Sequence, residues 1–365
     1  MKDAIFLRDG MTPASVPDCG ADLYDPWIVR VARLDDLDRL FALAAHTGGG
    51  LLNLPCDRSA LRKRLEWSEN SVDSDLSAPD NELYFLVLEN ESNGTIAGSA
   101  CIFSRIGTPW PFYSYKIATH THVSRELGRT FSSRLLHLVN DFDGASEVGG
   151  LFLHPDYRTG GLGSLLARSR YLFIARHRRR FADRIIADLR GYAGAEGPPF
   201  WNAVGRIFFG RDFAEADHYN ALHGNQFISD LMPRYPIYID LLPKTAQAMI
   251  GRTHDLAIPA RKMLEMEGFV YDGYIDIFDG GPTLSAITDH LRTLRLSQHA
   301  VIGTEATNFS HIDINQEVVL IATGYLQAFR VWRDCVTGRK SQIVLRNRTD
   351  ISSGMEVLYI CRNPA

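Results

Sequence analysis

The chain has 365 residues, 45% of them hydrophobic and 22% charged, with a formal net charge of -4. That balance is ordinary for a globular protein and supplies no cationic footprint for nucleic acid or an anionic membrane. No apolar run is long enough to span a bilayer, and the start MKDAIFLRDGM carries charge where a signal peptide needs an apolar core, so a cytoplasmic location is expected.

Residues 1–26 lack periodicity, carry Pro and Gly, and read as an N-terminal extension. Trp27 to Ala32 is a short strand. Asp35 or Asp36 caps a helix with Leu37, Leu40, Phe41 and Ala44 at helical spacing, ended by Thr47-Gly48-Gly49-Gly50. A second helix runs from Asp57 to about Glu69. Glu82 to Glu89 and Thr95 to Phe103 form a hairpin across Asn90 to Gly94. Phe112 to His122 and Val148 to Leu153 are further strands. A glycine-rich turn follows the latter and opens a helix through Leu165, Leu166, Tyr171, Leu172 and Ile174. Arg184 to Leu189 is again a strand.

Beyond Pro198 the pattern is helical around Phe200 to Phe209, Lys244 to Ile250 and Pro259 to Glu267, and Tyr271 to Phe278 is a strand. From about His311, short β-rich runs suggest a small all-β subdomain. The element order predicts an α+β fold: a mixed, mainly antiparallel sheet flanked by helices, with a small C-terminal β subdomain. The corresponding division is an extension at 1–26, a core at 27–295 (27–195 and 196–295) and a β region at 296–365. The five cysteines, Cys19, Cys56, Cys101, Cys335 and Cys361, form no CxxC pair. They read as structural thiols rather than a zinc site or a disulfide framework, and no metal is expected.

The turn Arg158-Thr159-Gly160-Gly161-Leu162-Gly163 carries the strongest chemical signal. A diphosphate needs several backbone N–H groups aimed one way, and a helix N-terminus supplies them with a favourable dipole. Glycines permit close approach, and Arg158 complements the charge. The Rossmann alternative fails because GxGxxG is absent and no acidic residue follows at the required distance. The spacing RxxGxG, after the strand Leu151-Phe152-Leu153 and before a helix, matches the acyl-CoA signature of the GCN5-related N-acetyltransferase superfamily.

Several stretches resemble, more narrowly, the arginine N-succinyltransferase family. They are Thr47-Gly48-Gly49-Gly50-Leu51 with Leu54-Pro55, Leu151-Phe152-Leu153, Asp188-Leu189-Arg190-Gly191 and Pro199-Phe200-Trp201. Phe227-Ile228, Leu231-Met232-Pro233, Pro236-Ile237-Tyr238 and Tyr274 to Pro282 complete the set. The resemblance implies transfer of succinyl from succinyl-CoA to the α-amine of L-arginine by direct attack in a ternary complex. It places the proton donor at His254, in Gly251-Arg252-Thr253-His254, and a succinyl-CoA contact at Leu151. The family usually has Pro where Asp255 stands, and a carboxylate beside His254 would raise its proton affinity. Partners implied are the two small-molecule substrates, with a homo-oligomer or a paralogous subunit as further options. The same residues also fit ornithine or another amine as acceptor, and a non-catalytic acyl-CoA-binding subunit.

Other candidates carry two readings each. Glu147 is a general base or a strand-entry carboxylate. Arg190 binds a substrate carboxylate or forms a structural ion pair. Asp276 and Asp279 hold the acceptor guanidinium or cap the turn at Gly280-Gly281-Pro282. The run Arg176-His177-Arg178-Arg179-Arg180 reads as a solvated helix end rather than a phosphate site. Trp110, Phe112, Tyr113 and Tyr115 line a pocket or belong to the core.

Overall fold

The computed structural model describes residues 25–47, 53–194, 197–213, 215–216, 231–233, 235–304, 314–348 and 351–361. Gly48 to Leu51, Phe227-Ile228 and most of the N-terminal extension lie outside them. Fifteen strands in chain order are β1 Trp27–Val31, β2 Leu83–Asn90, β3 Thr95–Phe103, β4 Ser114–Ser124, β5 Arg129–Val139 and β6 Ser146–Leu153, then β7 Arg184–Asp188, β8 Ile237–Tyr238, β9 Val270–Asp276 and β10 Pro282–Ile287. The last five are β11 Gln298–Ile302, β12 Ile314–Thr323, β13 Arg330–Arg339, β14 Gln342–Leu345 and β15 Glu356–Cys361. They join in one sheet of order β12-β15-β11-β14-β13-β1-β2-β3-β6-β7-β10-β9-β4-β5-β8. Among the described residues, β6–β7 and β11–β14 are parallel and the other strand pairings antiparallel.

β2 and β3 are almost continuously apolar because both faces are covered. Helices α1 (Leu37–Ala44) and α2 (Arg58–Asp73) cover one face, with Leu37, Leu40, Leu61 and Leu65 packed on Phe85, Val87 and Cys101. Asp57 caps α2 through Ala60 N–H at 2.7 Å. Helix α3 (Leu162–Arg176) covers the opposite face, burying Leu165, Leu166, Leu172 and Phe173 against Val29, Leu86 and Ile102. Being buried nearly all round, it lacks the one-sided stripe of a surface helix.

The C-terminal strands do not simply extend the sheet. β12 also pairs with β13, so β12, β15, β11, β14 and β13 close on themselves as a small barrel. It has its own core of Ile302, Val319, Ile321, Trp332, Val336 and Tyr359, and it joins β1 through Ile28↔Trp332. Cys56, Cys101 and Cys361 are free, whereas Cys335 is disulfide-bonded, which corrects the reading of all five cysteines as thiols.

The basic run at the end of α3 is not a solvated end. Arg176 donates to Gly324 O, Arg178 pairs with Asp183 and Asp289, and buried Arg180 donates to Ser71 O, Ser74 O and Tyr84 Oη. Arg179 alone of the five is exposed. Tyr115 is core, buried against Phe200, while Trp110 is 44% exposed.

Candidate active site

The parallel pair β6–β7 is registered only at Ser146↔Ile185 and Glu147↔Ile186. β6 runs on to Leu153 and β7 to Asp188, so the two strands part towards their carboxyl ends and leave a wedge. Ligands of α/β sheets bind where neighbouring strands diverge at that end, because backbone groups there lack ladder partners.

One side of the wedge is β6, which carries a bulge. Cys101 pairs with Gly149 and Ser99 with Phe152, so β6 holds one extra residue against β3. Gly150 absorbs it at φ +58°, a conformation that side chains other than glycine rarely adopt. The bulge returns Leu151 and Leu153 to the face packed on α3, while Phe152 packs on the α1–α2 side. Beyond Leu153 the chain makes the glycine-rich turn, with Gly161 at φ +80° as the N-cap of α3 and no side chain capping that end. Leu162 N–H donates to Thr159 O at 3.2 Å and Leu165 N–H to Gly161 O at 3.1 Å, which leaves the Gly163 and Ser164 N–H groups without intrahelical acceptors. Arg158 Nε donates to Leu153 O at 3.0 Å, which folds the side chain back over the strand end. Arg333, from the C-terminal barrel, donates to Gly160 O and pairs with Asp25 at 2.6 Å.

The other side is built on the end of β7. Gly191 N–H donates to Asp279 Oδ2 at 2.6 Å, Gly251 N–H to Gly280 O at 2.8 Å and His254 N–H to Arg190 O at 2.9 Å. Gly191 and Thr253 also form an antiparallel bridge. His254, Arg190 and the Asp276–Gly281 turn are thereby brought together. The His254 ring N-caps the short turn Asp255–Ala257, its Nδ1 accepting from Leu256 N–H at 3.1 Å. A neutral ring held this way carries its proton on Nε2. Arg252 stacks 4.8 Å over the Tyr192 ring, whose centroid is 6.4 Å from that of His254. Asp255 lies 3.9 Å from Arg252 Nη2, with both side chains largely in solvent.

Four half-buried carboxyl groups gather where β6 and β7 part. Burial pushes Glu147 up to about 8, with Asp188 adding to the shift and Arg64 opposing it. Burial likewise lifts Asp188 to about 6, against the hydrogen bond from Thr283 Oγ1. Asp276 is raised well above the carboxylate range by burial and by the charges of Asp279 and Asp188. Asp279 is raised by burial, opposed by bonds from Gly281 and Gly191. Both aspartates also cap the turn: Asp276 Oδ1 accepts from Phe278 and Asp279 N–H, and Asp279 Oδ1 from Gly281 N–H.

Asp188 was not singled out as a site residue, although an acid in the apolar strand Arg184–Asp188 is a visible signal. Arg333 gave no signal, because only the folded barrel brings it to Gly160. Among the described residues no group of side chains is arranged to hold a metal, and no helix is long and apolar enough to cross a membrane.

Residues 27–293 match the family model of the arginine N-succinyltransferase beta subunit. An arginine N-succinyltransferase of Yersinia pestis (strain Pestoides F) is 39% identical over 305 residues, 83% of this chain and 87% of that protein. The arginine N-succinyltransferase subunit beta of Pseudomonas aeruginosa is 40% identical over 277 residues, 76% of this chain and 81% of that protein. Among solved structures, the arginine/ornithine succinyltransferase subunit AI from Pseudomonas aeruginosa superimposes with a TM-score of 0.81 at 32% identity, covering 93% of this chain and 99% of that one. That coverage carries the likeness past residue 293 into the C-terminal barrel strands. With a family model spanning most of its length and relatives near 40% identity, the chain belongs to the arginine N-succinyltransferase family.

Proposed function

We propose that this chain transfers the succinyl group of succinyl-CoA to the α-amine of L-arginine, releasing CoA and N-succinylarginine, as a step of arginine catabolism. The observation that carries the reading is the wedge between β6 and β7, with a bulged strand on one side and an uncapped helix N-terminus at its mouth. In this reading the N–H groups of Gly161 and Gly163 receive the CoA diphosphate, with Arg158, Thr159 and Leu162 at its edge and Gly160 held by Arg333. Leu151, Phe152 and Leu153 line the pantetheine and thioester, and Leu151, which has no partner in the β3 register, has an N–H to offer.

The arginine α-amine is largely protonated at neutral pH and must lose a proton to attack. Glu147, buried and with a raised proton affinity, takes that proton through the closed end of the wedge. The amine nitrogen then bonds to the thioester carbon. The carbonyl oxygen becomes an oxyanion, and the N–H of Leu151 stabilises it, a contribution of about 3 kcal/mol. Collapse breaks the C–S bond; the proton shed by the amine nitrogen as it becomes an amide passes to the departing sulfur, and the Nε2–H of His254 donates a hydrogen bond to that thiolate. No covalent enzyme intermediate is needed. Arg190 faces a substrate carboxylate. Asp276 and Asp279 shape the floor for the acceptor guanidinium while capping their own turn.

The chain works as an acyltransferase on two small molecules, and assembly with itself or with a related subunit is part of the proposal. The Pseudomonas structure named for arginine and ornithine favours ornithine as a second acceptor. Thiol release from succinyl-CoA, measured with arginine, with ornithine and with no acceptor, tests the reading. The expected result is release that depends on arginine. CoA binding without turnover on any acceptor would leave a binding subunit instead.

A further inference from the structure

Arg64 lies on α2, in the layer between that helix and the bulge of β6. Its Nη1 is fully buried and has no hydrogen-bond partner. The charges that act on this guanidinium come from Cys101 and Glu147. Burial pushes the Cys101 thiol up to about 12 and the Glu147 carboxyl up to about 8, so neither supplies a full counter-charge at pH 7. A buried guanidinium without an anion carries an uncompensated desolvation penalty, since burying one charge alone is far more costly than burying a pair.

The surroundings place this cation beside the reacting group. A Cβ built on Gly149 would sit 2.6 Å from Asn53 Nδ2 and 3.2 Å from Glu147 Oε1, and one on Gly150 would sit 2.8 Å from Cys101 Sγ. Arg64 shares Glu147 and Cys101 as neighbours, so it stands behind the bulge whose next residue is Leu151. The acyl group proposed for that position ends in a carboxylate two methylenes beyond the thioester carbon. A guanidinium matches a carboxylate with two parallel hydrogen bonds, and an ammonium does not.

We propose that Arg64 receives the distal carboxylate of the succinyl group and so selects a dicarboxylic acyl chain over a neutral one. This deepens the succinyl-CoA reading and rests on it. The bound carboxylate supplies the missing anion, and an acyl chain without it leaves the guanidinium unpaired, which is the usual source of strong discrimination at a polar site.

The test compares dissociation constants of succinyl-CoA and butyryl-CoA, its neutral four-carbon counterpart, for the wild type, Arg64→Met and Arg64→Lys. Wild type is expected to prefer succinyl-CoA by about 100-fold, in the range for a lost buried ion pair. Arg64→Met should abolish that preference with butyryl-CoA binding changed less than about threefold, and Arg64→Lys should restore part of it. An equal loss for both thioesters marks a structural arginine and overturns the proposal. So does an unchanged preference accompanied by a raised KM for arginine, which would place Arg64 on the acceptor. If Arg64→Met fails to fold, the wild-type preference and Arg64→Lys still decide. Preferential succinyl-CoA binding without arginine-dependent turnover leaves Arg64 standing and defeats the reaction instead.

Discussion

The backbone N–H of His254 donates to the carbonyl oxygen of Arg190 at 2.9 Å, which ties the residue to the end of β7 through main chain, while the ring itself accepts from Leu256 N–H. Truncating the side chain leaves that bond in place. His254→Ala is therefore expected to lower kcat for thiol release at least about tenfold, roughly the effect of one lost hydrogen bond to a charged leaving group. CoA affinity should stay within about twofold, because the glycine turn is built elsewhere. A rise in KM with kcat intact would remove His254 from the chemistry.

Arg333 reaches from β13 to the Gly160 carbonyl and is itself held by Asp25. A cation on that carbonyl fixes the plane of the turn whose N–H groups are proposed to meet the diphosphate. Arg333→Met should raise the KM for acyl-CoA by about three- to tenfold, roughly the effect of one charge-assisted hydrogen bond, with kcat little changed. Steady-state kinetics at saturating arginine read the split, and a fall in kcat alone would contradict this role.

Much of the core was legible in the sequence. Thr95–Phe103 emerges with the expected bounds and α2 from its Asp57 cap, because period and capping chemistry are local. β5 was missed: its outer half and that of β4 are exposed on both faces, so no buried side enforces alternation. β11 is short and half exposed and left little trace. At the site, Leu151 to Leu153 and the glycine turn stood out because strand, turn and helix are contiguous. The Arg190–His254 pairing, the Arg333 contact and the Asp188–Glu147 neighbourhood join residues far apart in the chain, and only the folded sheet order reveals them.

His177 is buried between two backbone partners, Phe173 O at 2.8 Å and Leu326 N–H at 3.0 Å. One ring nitrogen donates and the other accepts, which holds the neutral form, and burial lowers its proton affinity to about 4. Between about 4 and the unfolded value near 6.5 the unfolded chain binds the extra proton, so stability is lost as pH falls through that window. Going from pH 7 to pH 5, wild type should lose on the order of 1–2 kcal/mol more than His177→Gln. Urea midpoints at the two pH values measure this, and equal losses would clear His177 of the effect.

Glu147 has the opposite sign. Its carboxyl holds its proton up to about 8 in the fold, whereas an unfolded glutamate ionises near 4.3. Between those values the native state binds the extra proton, so the group weakens the fold progressively as pH rises and contributes its full penalty above about 8. Glu147→Gln, which keeps the shape without the charge, should gain stability relative to wild type at pH 8 and much less at pH 5. The same substitution should remove the rising limb of kcat/KM between about pH 7 and 8 and lower the plateau at least about tenfold, as expected for a lost proton acceptor. The charge of Asp188 adds to the raised proton affinity of Glu147. Asp188→Asn, by removing the neighbouring charge, should move the wild-type limb to lower pH. If the limb stays in Glu147→Gln, the ionising group is the arginine amine, and Glu147 serves the fold alone.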